Sequence, residues 1–256
     1  MFHPFKSISK ASLMTIVISA PLLISSISAT KKTTENVSKS ELVDSKKLVV
    51  LTAKEIILRK ATSIYDELNL KAAGLNEEAF LLAWQGYQNL LTQGKLQKES
   101  ILSICDFSQS SRKKRLYIVD LEEKKLLVNT YVAHGRNSGG EYAKSFSNKM
   151  DSHKSSLGFY ITGNTYMGGH GLALNLSGVE KGINDKAKAR KIVVHGSNYI
   201  GANFIKYNKF NGRSFGCPAI PARETKKIIQ TIKNGTCLFI YHPNKKYMEQ
   251  SSIINS

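Results

Sequence analysis

Between residues 51 and 100 the apolar positions recur every three or four residues. Ile56, Ile57, Ala61, Ile64 and Leu68 fall on one side of a helix. A second helix carries its own start signals. Asn76 suits an N-cap, Glu77 and Glu78 suit the positive end, and Leu75 with Phe80 fit a hydrophobic staple. Phe80, Trp84, Tyr87 and Leu91 then stripe one face. Aromatic stripes at that spacing bury, so Trp84, the only tryptophan, is expected to pack rather than to bind.

From about residue 101 the period shortens. Segments 101–107, 115–120 and 126–134 are short and rich in β-branched and aromatic residues, and the polar Glu122-Glu123-Lys124-Lys125 between the last two reads as a hairpin turn. Segment 157–162 is a further strand, stopped by Gly163-Asn164, and 190–195 is a strand with an Ile-Val-Val centre. Residues 223–233 read as a helix, with Pro221 near its start and Gly235 past its end, and 237–241 is a last strand. The expected architecture is mainly β, with a helical region of 51–100 ahead of a β-rich domain of 101–242 and a tail of 243–256.

The first 50 residues follow neither period. Lys6 and Lys10 precede an apolar run from Leu13 to Ile27, broken by Pro21 and three serines, and small residues close it at Ser28-Ala29. This is the order of an export signal, expected to be cut after Ala29 and followed by a polar leader of 30–50. The run is short for a membrane span of ~20 residues. An exported protein of the periplasm or cell envelope is expected, with no stable membrane insertion after cleavage.

Charge sharpens this. The chain carries 37 Lys+Arg against 19 Asp+Glu, a formal +18 over 256 residues. Residues 101–256 hold 24 of the basic and 10 of the acidic residues, hence +14. Such an excess favours an anionic partner such as nucleic acid or an acidic wall polymer. The interleaved Phe204-Ile205-Lys206-Tyr207-Asn208-Lys209-Phe210 is the sort of stretch that can stack bases, but export argues against nucleic acid. Arg112-Lys113-Lys114-Arg115 reads as an exposed cluster, and His153 as solvated. Asn137-Ser138-Gly139-Gly140 lacks the rest of a phosphate-binding loop. Neither CxxC nor HExxH occurs, so no metal and no cofactor is implied.

The strongest chemical signal is Ser214-Phe215-Gly216-Cys217, whose cysteine lies 22 residues beyond His195 of the strand-ending His195-Gly196. A cysteine between glycine and proline, before a helix, is placed as a nucleophile would be, with His195 as its base. Backbone N–H groups around Gly216 suit an oxyanion, and Arg213 and Lys209 would favour the thiolate. Each residue also has a plainer reading: His195 as a structural histidine, and Cys217 as half of a disulfide. Cys105 and Cys237 lie within strand segments as small buried residues or as a disulfide pair; if they pair, Cys217 is the odd thiol.

Val193-Val194-His195-Gly196 followed by Ser214-Phe215-Gly216-Cys217 resembles the signature of the L,D-transpeptidases of the YkuD type. Val132-Ala133-His134-Gly135, Phe146-Ser147-Asn148, the stretch from Ser155 to Tyr160, that from Tyr166 to Leu174, and Arg213 to Pro218 resemble the murein L,D-transpeptidase catalytic-domain branch. The likeness covers about residues 101–242. Phe215 stands where a histidine is frequent, and Pro218-Ala219 stand where an apolar residue and an arginine usually follow. The resemblance implies a β-sandwich or barrel with a short helix after the cysteine. It implies Cys217 as nucleophile and His195 as general acid/base, with Ser214, Phe215 and Gly216 forming the pocket and oxyanion hole. The substrate would be a peptidoglycan stem peptide joined into 3–3 crosslinks through a thioester. His170, Tyr166 and Arg213 are the substrate-binding candidates, while His134 is expected at a strand edge or in the core. An L,D-carboxypeptidase or other thiol hydrolase, and a non-catalytic wall-binding module, stay open beside it.

Overall fold

The computed structural model describes residues 52–169 and 171–255. The export signal and leader expected over 1–50, and His170, lie outside the described residues. Helix α1 (Ala53–Glu67) starts at Thr52 in a reciprocal capping box with Glu55. Ile64, Tyr65 and Leu68 are buried, whereas Ile56, assigned by spacing to the apolar face, is 54% exposed. Helix α2 (Glu77–Thr92) is capped by Asn76, whose Oδ1 accepts from Ala79 N. Trp84 packs between Phe80 and Tyr87, as its stripe predicts. Gly86 faces the Phe159 ring so closely that a Cβ would lie 2.0 Å from its Cζ, so the helix seats directly on the sheet.

That sheet has eight strands: β1 (Ile101–Asp106), β2 (Leu116–Asp120), β3 (Lys125–Thr130), β4 (Gly158–Gly168), β5 (Gly171–Gly178), β6 (Val193–Ser197), β7 (Ala219–Pro221) and β8 (Cys237–Tyr241). Their order is β3-β2-β1-β8-β4-β5-β6-β7. The two outer strands are brought together by the chain that leaves β3: Ala133 bridges to Ala219 and Gly135 to Ser214. The sheet therefore curls towards a closed barrel, and the cysteine loop is clasped at the seam. A short helix α3 (Ala202–Tyr207) precedes the cysteine, and helix α4 (Thr225–Ile232) follows it with Ile228, Ile229 and Ile232 buried. One continuous apolar core joins α1, α2, the sheet and the C-terminal residues Tyr247, Ile253 and Ile254. No helix among the described residues is long and apolar enough to cross a membrane.

Three local differences from the sequence pattern matter. β4 does not stop at Gly163-Asn164 but absorbs them in a register shift between Thr162 and Thr165, then runs on to Gly168. β6 begins at Val193 rather than 190, because Lys191 takes a positive φ of 55°. Cys105 and Cys237 are free thiols. β1 and β8 run parallel with Leu102 opposite Cys237 and Cys105 opposite Ile240. That three-residue offset separates the pair by roughly 10 Å along the strands, beyond disulfide reach.

Candidate active site

β6 and β7 are parallel, and the ladder sets His195 opposite Ala219. Cys217 lies in the bend that enters β7, and Val193 N, two residues before His195 on β6, donates to Cys217 Sγ at 3.5 Å. The stretches 193–195 and 217–219 thus run side by side, which brings Cys217 and His195 to the same edge of the sheet. The same row continues across the sheet: His195 is opposite Ala173 on β5, and Ala173 is opposite Tyr166 on β4. Tyr166, 43% exposed, thus stands on the His195 face two strands away.

His195 is nearly buried, and its Nδ1 faces the carbonyl of Gly196 at 3.1 Å. A carbonyl only accepts, so Nδ1 carries the proton and Nε2 is the basic nitrogen.

The turn that presents Cys217 is held from within and from behind. Ser214 Oγ donates to Cys217 O at 2.6 Å and accepts from Gly216 N at 3.0 Å. The N–H groups of Phe215 and Cys217 take no protein acceptor among the described residues. Gly216 has φ +126°, and a Cβ there would lie 2.9 Å from Lys154 O and 3.0 Å from Ile192 Cδ1. Glycine is needed here because the protein's own backbone lies against it. Ser155 Oγ donates to Gly216 O at 3.1 Å and accepts from Gly135 N at 3.0 Å. Ser214 N donates to His134 O, and Arg136 N to Ser214 O.

The support under that seam is polar and deeply buried. Arg115 is fully buried, contrary to the exposed cluster expected of its run. Its guanidinium donates to the carbonyls of Val132 and Gln109 and to His134 Nδ1 at 2.7 Å. Burial, reinforced by Arg115, drives the His134 pKa down to about 3, so this histidine is a neutral structural group, as expected of it.

Burial pushes the Cys217 thiol above its ordinary pKa, and the Val193 N–H and the Arg190 charge offset part of that rise. The thiol faces Lys191 O at 3.7 Å. The cation that acts on the sulfur is Arg190, not the Arg213 and Lys209 expected from sequence proximity. Arg190 opens the segment read from the sequence as a strand and follows the basic run Lys186-Ala187-Lys188-Ala189. In the fold it is half-buried and donates to Ser147 O, Ser156 Oγ, Ser152 Oγ and Lys154 O. No local pattern marks it, nor Ser155; both act through contacts about 35 to 60 residues away in sequence.

Phe215 is 63% exposed and lies between Arg136, whose Cζ is 4.6 Å from its ring centre, and His153, 4.6 Å ring to ring. His153 is therefore a half-buried packing partner within its loop. Arg213 donates from Nη1 to Arg136 O at 3.3 Å and to Gly139 O at 3.1 Å.

Comparison with known proteins agrees on a family. The profile of the L,D-transpeptidase catalytic domain matches residues 71–241, about two thirds of the chain. Among curated proteins none matches. Similar solved structures include an L,D-transpeptidase from Mycobacterium smegmatis, 8% identical over 56% of this chain and 59% of that one, with a TM-score of 0.34. The helical cell shape determining protein Pgp2 (K307A mutant) from Campylobacter jejuni is 15% identical over 67% and 61%, with a TM-score of 0.37. An L,D-transpeptidase (Yku) from Stackebrandtia nassauensis is 15% identical over 75% and 80%, with a TM-score of 0.33. The chain spans 59% of the first of these proteins. With the profile spanning the helix, the curled sheet, the His195 strand and the Cys217 turn, the chain belongs to the L,D-transpeptidase catalytic-domain family.

Proposed function

We propose that this is an exported cysteine L,D-transpeptidase that joins peptidoglycan stem peptides through a thioester on Cys217. The observation that supports the reading is the pairing of β6 with β7, which runs residues 193–195 beside 217–219, with Val193 N donating to Cys217 Sγ. Because burial holds Cys217 as a thiol, the reaction is general-base assisted rather than started by a standing thiolate.

Cys217 Sγ attacks the carbonyl carbon between the L-centre of the diamino acid and the terminal D-Ala, and its proton passes to His195 Nε2. The oxyanion is met by N–H groups of the turn built by Ser214, Phe215 and Gly216. His195 returns the proton to the departing amine as the C–N bond breaks and D-Ala leaves. An amine of a second stem then attacks the thioester, His195 takes its proton, and Cys217 leaves as thiol, forming the 3–3 crosslink. His170, Tyr166 and Arg213 are assigned to substrate contact. The net charge of residues 101–256 concentrates the enzyme on an acidic wall. The Lys6-to-Ala29 segment supports export. Water as acceptor gives an L,D-carboxypeptidase by the same first half.

Muropeptide analysis with wild type and Cys217→Ala tests the reading. Loss of both crosslinks and trimmed stems in the variant is expected; a variant that keeps full activity sinks it. Product identification with an amine acceptor present separates transfer from hydrolysis.

A further inference from the structure

Three segments, 144–149, 181–186 and 244–250, converge on a groove of about 690 Å³. Neither His195 nor any residue of the 214–217 turn lines it. Lys144, Lys149, Lys181, Lys186 and Lys246 do, and all five are exposed. Asp185 is the one acid among them, so the lining carries a net +4. Ion pairs among the described residues are Lys124–Glu67, Lys125–Glu123 and Arg223–Glu224, so the protein pairs none of the five lysines there.

The acids of this region are already engaged. Asp185 Oδ1 accepts from Asn148 Nδ2 and from Gly182 N, both at 2.7 Å, which ties two of the three segments together. Those bonds hold its carboxyl below the usual carboxylate range. Glu180 is turned into the core, where Phe159 N, Tyr247 and Ser251 donate to it. The lysines are thus left to an anion from outside.

The other lining groups narrow the choice of anion. No arginine is present, so there is no planar fork for a carboxylate; separate ammonium charges suit separate phosphates. Ser145, Ser147, Asn148, Asn244 and Gln250 set hydroxyl and amide groups between the charges. No ring is open for stacking: Phe146 packs on His242 at 5.0 Å, and Tyr247 is buried with its hydroxyl on Glu180. A nucleic acid would find no aromatic platform. None of the exposed large apolar side chains lines the groove, so a bilayer would receive nothing from it.

We infer that this groove binds a flexible polymer in which phosphodiesters alternate with hydroxylated units, of the poly(polyol phosphate) class. The ammonium groups meet successive phosphates, and the hydroxyl and amide groups meet the polyol between them. Binding there calls for neither export nor reaction at Cys217.

The test titrates the full chain with poly(glycerol phosphate) by calorimetry at about 0.1 M salt, where charges are screened over about 10 Å. Changing the five groove lysines to glutamine is expected to weaken binding at least about tenfold and to flatten its salt dependence. Changing Lys71, Lys95, Lys113, Lys206 and Lys227, exposed lysines elsewhere, removes the same charge and should weaken binding less than about threefold. Melting within about 2 °C of wild type shows that each set folds. A second arm needs no variant: lysine acetylation of the wild-type chain, read by mass spectrometry, should slow at the five groove lysines when polymer is bound and stay unchanged at Lys71, Lys95, Lys113 and Lys227.

Equal weakening by the two sets, or equal shielding of all these lysines, overturns the inference, because net charge alone then accounts for binding. Absence of binding overturns it too. So does tighter binding of a single-stranded oligonucleotide or of poly(glutamate) at matched charge, or of phosphatidylglycerol vesicles at matched phosphate.

Discussion

Gly216→Ala isolates the way the cysteine turn is built. The backbone there has φ +126°, a region where a residue with a side chain costs about 1–3 kcal/mol. The new Cβ would also sit 2.9 Å from Lys154 O and 3.3 Å from Arg190 Nη2. Lys154 O cannot retreat cheaply, because Arg190 Nη2 donates to it at 2.6 Å. A bond to a charged group of this kind contributes about 1.5–3 kcal/mol. Together the two effects give about 2.5–6 kcal/mol. In a domain of this size that lowers Tm by about 5–24 °C, at about 2–4 °C per kcal/mol. If the turn relieves the clash by moving instead, Cys217 moves with it, and a 1 Å displacement of a reacting group costs about 10²-fold in rate.

Melting curves and the rate of Cys217 alkylation read the two routes separately. Arg190→Met makes the argument stricter: with the guanidinium gone, Lys154 O is free to yield, so Gly216→Ala should cost about 1 kcal/mol less in that background. A Gly216→Ala protein that melts within 2 °C of wild type and alkylates at the wild-type rate refutes the reasoning. Strict additivity with Arg190→Met refutes the part played by Lys154.

Three other outcomes follow from the same contacts. Because burial raises the Cys217 pKa and Arg190 opposes the rise, alkylation by iodoacetamide should climb with pH only above the ordinary thiol range. Arg190→Met should shift that curve to still higher pH, and a shift to lower pH contradicts the assignment. His134 binds a proton only near pH 3 when folded but near 6.5 when unfolded, so its contribution is complete above about pH 6.5 and declines as pH falls towards 3. The slope is about 1.4 kcal/mol per pH unit, and His134→Gln, which keeps an acceptor for Arg115, should flatten it in chemical-denaturation series. Ending the chain after residue 244 removes buried Tyr247, Ile253 and Ile254 and strips Glu180 of its Tyr247 and Ser251 donors. The loss should exceed about 4 kcal/mol, and an unchanged urea midpoint would show that the C-terminal residues do not brace the barrel.

The sequence carried what repeats locally. The two N-terminal helices, the Asn76 cap, the β2–β3 hairpin and the α4 helix were all legible, because periodicity, caps and turn residues act over a few positions. The proposal of Cys217 and His195 as a reacting pair comes from the sequence, because a cysteine between Gly216 and Pro218 lies in a loop and not in a strand segment, and because a familiar order of blocks surrounds it. What escaped were residues whose surroundings come from far along the chain. Arg115 and Arg190 each sit in a run of basic residues, and nothing in such a run says which one turns inward. Arg115 is buried because the carbonyls of Gln109 and Val132 and the His134 ring converge on it. Arg190 stands beside Cys217 because the 145–156 segment folds across it. Likewise, no pattern of apolar positions could tell that Cys105 and Cys237 are three residues out of step, since a parallel register is a property of two strands and not of either. The sequence by itself set the elements and suggested the proposed reacting pair. Only the closing of the sheet at Ala133–Ala219 and Gly135–Ser214 decided which charge faces the sulfur and why Gly216 must be glycine, because those depend on long-range contacts that no local pattern encodes.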